Sequence, residues 1–313
     1  MRAQPPTALL SQLRAAHATG SDHGARAATQ WGMRPLSGGR NNLVYGWKDP
    51  SSGTEICIKL YKIDERRRAE REWHALTSVV GTGIEEVPAP VWYDPAGPYP
   101  AIAMTLLPGE PLPATQLPEP TPALKALAAL HGRLIEVPLT GLLAELPRID
   151  SAPHYINRLT QLWPDQLADA ADEPLTADML TLLRRWEESG DRELLLQPAP
   201  AVFSRGDSNL LNWLWDDGEI RCVDFEFAGY SDIAFDAADL CEHISARDID
   251  DEVWESLHAD LGITAALTPR FRAAQRTCAL RWLAVLWRQR YTREPEFATQ
   301  RERAHRLLRT IGS

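Results

Sequence analysis

Lysine is scarce in this chain. Only Lys48, Lys59, Lys62 and Lys125 stand among 33 basic residues, and 43 carboxylates leave a net charge of −10. A general nucleic-acid binder needs a basic footprint, so that class is excluded. Cysteine is scarce too. Cys57, Cys222, Cys241 and Cys278 show no CxxC spacing, which excludes a disulfide scaffold or a zinc ribbon. No apolar run has the length of a membrane span; the best, Leu280 to Trp287, is interrupted by Arg281. Met1 to Ala16 has no apolar segment of the secretory kind. Walker-type GxxxxGK[ST], HExxH and GxSxG motifs are all missing. The expectation is a globular, cytoplasmic protein of 313 residues, 44% apolar, with one large core or two modest ones.

What is present is unevenly placed. Asp216 to Asp260 holds fifteen carboxylates against Arg221 and Arg247, a local balance of −13. Gly262 to Ser313 holds eleven arginines against Glu294, Glu296 and Glu302, a balance of +8. These segments read either as solvated faces that pair with each other or as an acidic field for Mg²⁺ and a cationic ligand. Lys59 lies inside the apolar run Ile56 to Tyr61, which has the composition of a strand. A compact ammonium there reaches a phosphate as a point charge, where a planar guanidinium does not fit the same slot.

The first hundred residues read as strand-rich. Ser37-Gly38-Gly39 turns into a strand at Leu43–Trp47, and Asp49 to Gly53 turns the chain into the Lys59 strand. A charged helix follows over Glu65 to Ser78, then a buried strand at Ala101–Met104. Pro108 to Pro122 contains six prolines in fifteen residues and marks a boundary. Beyond it the pattern is helical, with Leu124, Leu127, Ala128, His131 and Leu134 on one face and an Arg-rich helix around Trp282 and Trp287. Two lobes are expected, 1–106 and 107–313.

The second of them carries a chemical constellation. Asp217-Gly218 between Trp213–Trp215 and Ile220–Val223 is a strong hairpin signal. With those two residues as the loop, 213 faces 222 and 212 faces 223. Asn212 then lies beside Asp224 at the open end, and Asp207 enters from the preceding loop. Two aspartates and an amide oxygen are hard ligands suited to Mg²⁺ on nucleotide phosphates. A loop aspartate as base, an asparagine five residues on and an aspartate after a short hairpin are what phosphoryl transfer of the kinase type requires.

These residues resemble the aminoglycoside phosphotransferase and choline kinase family, small-molecule kinases with a protein-kinase-like, two-lobed α+β fold. Leu36 to Tyr45 is similar to the family's nucleotide-covering hairpin, with Ser37, Gly38, Gly39 and Asn42 on the nucleotide. Ile58-Lys59 resembles the phosphate-binding strand, and Arg71-Glu72 the helix whose glutamate holds that lysine; Glu70 competes with Glu72 for that role, and a plain helical pair of Glu72 with Arg68 is the other alternative. Met104, Thr105 and Leu107 are similar to the hinge that meets the base of ATP or GTP. Asp207 is implied as catalytic base, and Asn212 and Asp224 as ligands of Mg²⁺. Arg205 stands where the family usually has histidine, and it is assigned to the catalytic set as a holder of Asp224 or a backbone carbonyl. His131 and Asp236 are read as anchors.

The implied activity is transfer of the γ-phosphate of ATP or GTP to a hydroxyl of a small cationic molecule, such as an aminoglycoside-like antibiotic or an amino alcohol. Glu242, His243 and Asp248 are candidates for the acceptor pocket. Alternatives are a choline, ethanolamine or sugar kinase, with Trp254 and Trp282 around an ammonium group, and a non-catalytic nucleotide-binding pseudokinase. No nucleic-acid or membrane partner is expected, and monomer and dimer are both open.

Overall fold

The computed structural model describes residues 6–19, 21–36, 42–50, 53–112 and 121–309. The expected Ser37, Gly38 and Gly39 turn lies outside them.

Five antiparallel strands form the sheet of the small lobe in the order β1 (Arg34–Pro35), β2 (Leu43–Lys48), β3 (Glu55–Leu60), β5 (Ala101–Thr105) and β4 (Pro90–Asp94). The Lys59 strand is therefore central, paired with β2 through Val44 and with β5 through Ile102. Alternation sorts its side chains: Ile56, Ile58 and Leu60 enter one face. That face packs under Leu9, Leu10 and Leu13 of α1 (Thr7–Thr19). α1 and α2 (Ser21–Gln30) correct the strand-rich expectation for the first hundred residues. The signal was Leu9, Leu13 and His17, four apart, all buried on one face.

The other face of β3 carries Lys59 toward α3 (Arg68–Gly81). Two hydrogen bonds from Arg71 fasten α3 to the large lobe, at 2.7 Å to the Ala228 carbonyl and 2.9 Å to that of Pro147. The large lobe opens with α4 (Pro122–Leu134), where Thr121 caps the Leu124 amide and proline takes the first helical position. A helical body follows, with its core around the Thr268–Trp287 helix.

Three short antiparallel pieces carry the constellation. β6 (Glu110–Pro111) pairs with β8 (Trp213–Asp216), and β8 with β9 (Glu219–Cys222). β7 (Val202–Ser204) pairs with β10 (Gly229–Ser231). The β8–β9 register is the expected one, with Trp213 opposite Cys222 and the Val223 amide 2.9 Å from the Asn212 carbonyl. Asp217 and Gly218 both have positive φ, 46° and 87°, as a primed two-residue turn demands. Among the described residues no helix is long and apolar enough to cross a membrane.

Candidate active site

Lys59 ends in a carboxylate triangle. Its ammonium lies 2.8 Å from Glu72, 2.6 Å from Asp224 and 3.2 Å from Glu226, with 8% of the side chain exposed. Burial alone would strip the proton, but Asp224 and Glu72 outweigh it and hold the pKa well above the usual lysine value. Asp224 is pushed up by burial and brought below its ordinary range by Lys59, so it stays ionised.

Glu72 is fixed from three directions. Tyr61 donates its hydroxyl to the oxygen that meets Lys59, and the Phe225 amide donates to the other at 3.2 Å. Glu70 is drawn off to the surface by Arg67, and Arg68 pairs with Asp64 and Glu226 rather than with Glu72. The competition left open by the sequence is decided for Glu72.

Glu226 is the residue that sequence reasoning missed. One oxygen meets Lys59 and accepts from the Asn42 amide; the other lies 3.4 Å from Arg68. Arg68 in turn reaches the Asn42 carbonyl oxygen at 3.2 Å. The base of the β1–β2 connection, α3 and the Asp224 segment thus meet at one carboxylate. Its place two residues after Asp224 was the available signal.

Asp207 is held in a fixed orientation. One oxygen accepts the Asn209 amide at 3.0 Å and the other the Asn212 side-chain amide at 2.7 Å. A carboxylate only accepts, so this bond fixes the Asn212 amide and leaves its oxygen free to ligate. The preceding Gly206 has φ +86°, and a Cβ there would stand 2.1 Å from the Phe227 carbonyl. Only glycine brings the chain so close to the Asp224 segment. Asp224 itself has φ 68°, a left-handed conformation of the sort that clusters at functional sites.

Behind the loop stands Arg148, 2% exposed and without any sequence signal. It binds Asp236 at 2.6 Å, the Gly206 carbonyl at 2.9 Å and also Asp239, while Ser208 and Tyr155 hydrogen-bond Asp239 at 2.7 and 2.8 Å. His131 lies 3.7 Å from Asp236. Both expected anchors are therefore scaffold. Arg205 reaches the carbonyls of Val223 and Asp224 at 3.3 and 3.4 Å and stacks on Trp213. Its hydrogen bonds go to backbone carbonyls, so it positions the Asp224 segment.

Of the hinge residues, Met104 and Thr105 end β5 and Leu107 follows it. Met104 is buried, Thr105 pairs with the Ala89 backbone, and the Leu107 amide has no partner among the described residues. The acceptor candidates separate. His243 stays near Asp207: burial pushes it down to about 4 against the pull of Asp207 and Asp239. Ser245 donates its backbone N–H to His243 Nδ1 at 3.1 Å, so the neutral ring keeps its proton on Nε2. Glu242 instead faces Arg303 and Gln275, each at 3.0 Å, and is 4% exposed. Asp248 has Arg247 at 4.0 Å as its ion pair and is 40% exposed. Trp254, 2% exposed, belongs to the core.

The donor set fits a hard divalent cation. Glu72, Asp224 and Glu226 present oxygens within 4.8 Å of one another, and the free Asn212 oxygen adds a neutral ligand. Lys59 and Arg68 leave these three carboxylates one negative charge in excess.

A small antiparallel lobe holding a lysine–glutamate pair, set on a helical lobe with an aspartate loop, defines a kinase-like fold. Solved structures share it. A spectinomycin phosphotransferase with ADP and spectinomycin is 13% identical, with 89% of this chain and 92% of that one covered and a TM-score of 0.62. A choline/ethanolamine kinase family protein from Mesorhizobium loti is 18% identical over 97% and 95%, TM-score 0.61. An amicoumacin kinase with AMP-PNP and Ca²⁺ is 16% identical over 89% of each, TM-score 0.60. No curated protein sequence matches. The model of the phosphotransferase enzyme family matches residues 32–274, and the chain belongs to that family. It is a small-molecule phosphotransferase.

Proposed function

We propose that this protein transfers the γ-phosphate of ATP or GTP to a hydroxyl of a small molecule, with 1–106 as the nucleotide-binding lobe and 107–313 as the catalytic lobe. The observation that carries this reading is the pairing of Lys59 with Glu72 and Asp224 beside an Asp207 held by Asn212. Asn212 and Asp224 would hold Mg²⁺, with Glu226 next to them, and the ion would screen the phosphate charge.

The chain's own groups do the rest. Lys59 meets the nucleotide's phosphates once Asp224 turns to its ligand role. Asn42 borders them, and Met104, Thr105 and Leu107 border the base. Asp207 accepts the acceptor's hydroxyl proton as that oxygen attacks the γ-phosphorus. The bond to the bridging oxygen breaks, and the nucleoside diphosphate leaves. Arg205 keeps the Asp224 backbone in place, and Arg148 does the same for Gly206. Four free thiols support a reducing compartment, the cytoplasm.

The expectation of a cationic acceptor rests on the acidic surplus. Much of that surplus is consumed internally: Asp232 by Arg270, Asp236 and Asp239 by Arg148, Glu242 and Asp251 by Arg303, Glu255 by Arg272. These pairs weaken the surplus as a guide to the acceptor's charge. The test of the function is a mass-spectrometric screen of hydroxyl compounds with ATP and Mg²⁺. A product heavier by one phosphoryl group, absent with Asp207→Asn, is the expected result. Product formation that survives that substitution contradicts the assignment.

A further inference from the structure

Arg281, in the Thr268–Trp287 helix, has its faces covered and its edges bare. The guanidinium lies 4.6 Å from the Tyr155 ring centroid and 4.1 Å from that of Trp282. Only 11% of the side chain is exposed, and its one hydrogen bond is a long one, Nη2 to Asp150 at 3.3 Å. Nε and Nη1 are buried with no partner. Stacking satisfies the faces of a guanidinium but not the in-plane N–H groups, and buried donors without acceptors are rare in native proteins.

A second cation stands close by. Arg158 is the first residue of a π-helical turn, Arg158–Leu162, a distortion frequent at functional sites. It is half-buried and has no side-chain hydrogen bond among the described residues. Burial, Arg281 and Arg288 lower its pKa, and Asp150 and Tyr155 oppose them. Asp150 is 40% exposed and sits at φ 62°. Tyr155 already gives its hydroxyl proton to Asp239. The Arg158–Leu162 turn packs against the Thr268–Trp287 helix, so Arg158 adds a second cation beside Arg281, whose only ion pair among the described residues is Asp150.

Two routes tie this cluster to the Asp207 loop. Tyr155 and Ser208, the neighbour of Asp207, bind the two oxygens of Asp239. His243 stands edge-on to Trp282 at 4.8 Å, and the Ser245 hydroxyl that contacts it accepts the Leu210 amide at 2.9 Å. We propose that Arg281 and Arg158 form an oxyanion subsite beside Asp207, and that the acceptor is a hydroxyl compound carrying a carboxylate. Arg281 Nε and Nη1 supply the unpaired donors, and a carboxylate's oxygens supply the acceptors. This rests on Asp207 as the base of the proposed transfer.

The experiment uses one scaffold in three charge states: gluconate, sorbitol and glucamine, titrated calorimetrically into the full-length protein with Mg²⁺ and AMP-PNP. Gluconate is expected to bind at least about tenfold more tightly than the other two. Arg281→Gln and Arg158→Gln should each reduce that preference. Arg281→Lys retains a cation beside the two rings, so it controls for folding and should keep part of it. Equal or tighter binding of glucamine or sorbitol overturns the proposal, as does a gluconate preference that survives both glutamine variants. Binding of none of the three to protein that binds AMP-PNP also overturns it. Failure to bind AMP-PNP at all is a different result, and sinks the kinase reading beneath it.

Discussion

Lys59→Met tests the charge balance of the phosphate slot without nucleotide or acceptor. The wild-type ammonium touches Glu72, Asp224 and Glu226, whose oxygens lie within 4.8 Å of one another. Without it, only Arg68 remains, 3.4 Å from Glu226. Two unit charges at 4.8 Å repel by roughly 3.5 kcal/mol at an effective dielectric of about 20. Breaking a buried pair from one side costs about 3–5 kcal/mol, a figure of the same size. At about 2 °C per kcal/mol for a chain of this length, the melting temperature should fall by about 6–10 °C at pH 7.

The pH response separates charge from lost packing. Burial, with Asp224 and Glu72, raises the Glu226 pKa even against Lys59. A carboxyl raised in the folded state binds its proton better folded than unfolded, so stability falls as pH rises through that raised value. Removing Lys59 enlarges this effect, and lowering the pH from about 7 to about 5 should return part of the lost stability. Mg²⁺ should also stabilise the variant more than the wild type, because it replaces the missing cation. The assay is differential scanning fluorimetry in nucleotide-free buffer. A loss that ignores pH, with equal Mg²⁺ responses in both proteins, would refute the reasoning.

Other substitutions reach the remaining parts of the site. Asp207→Asn should lower turnover by about 10²–10⁴ while leaving AMP-PNP affinity in place, measured by coupled kinetics and calorimetry. Gly206→Ala forces a Cβ to within 2.1 Å of the Phe227 carbonyl, so the Asp207 loop must shift, and turnover should fall well before nucleotide binding does. His243 falls from 6.5 to about 4 in the folded protein, worth roughly 3 kcal/mol. That stability is fully present above pH 6.5 and is lost as pH falls toward 4, so His243→Gln should flatten this part of the denaturation profile. Arg148→Met strands Asp236 and Asp239 and should cost about 3–5 kcal/mol in urea denaturation.

Local signals were legible in the sequence and long-range pairings were not. The register of Trp213 on Cys222 could be read because Asp217 and Gly218 both suit positive φ, which leaves one loop length. Lys59 stood out because a lysine inside an apolar strand needs a partner. Glu226 meets Arg68 and Asn42 across more than a hundred and fifty residues, and nothing in any one segment predicts the other two. Arg148 is a lone arginine in a loop until the fold sets it against Asp236 and Asp239. The same blindness misplaced Glu242, which local charge assigns to the acceptor pocket and Arg303 draws into the interior. It also made the acidic segment look unpaired, although Lys59, Arg68 and Arg148 from earlier in the chain and Arg270, Arg272 and Arg303 from the segment that follows pair with it.

The most direct measurement is a calorimetric titration of AMP-PNP, with and without Mg²⁺, into the wild type and Asp224→Asn. The account predicts Mg²⁺-dependent binding in the wild type and its loss in the variant, with Asp207→Asn still binding. Binding indifferent to Mg²⁺, or undiminished by Asp224→Asn, would contradict it.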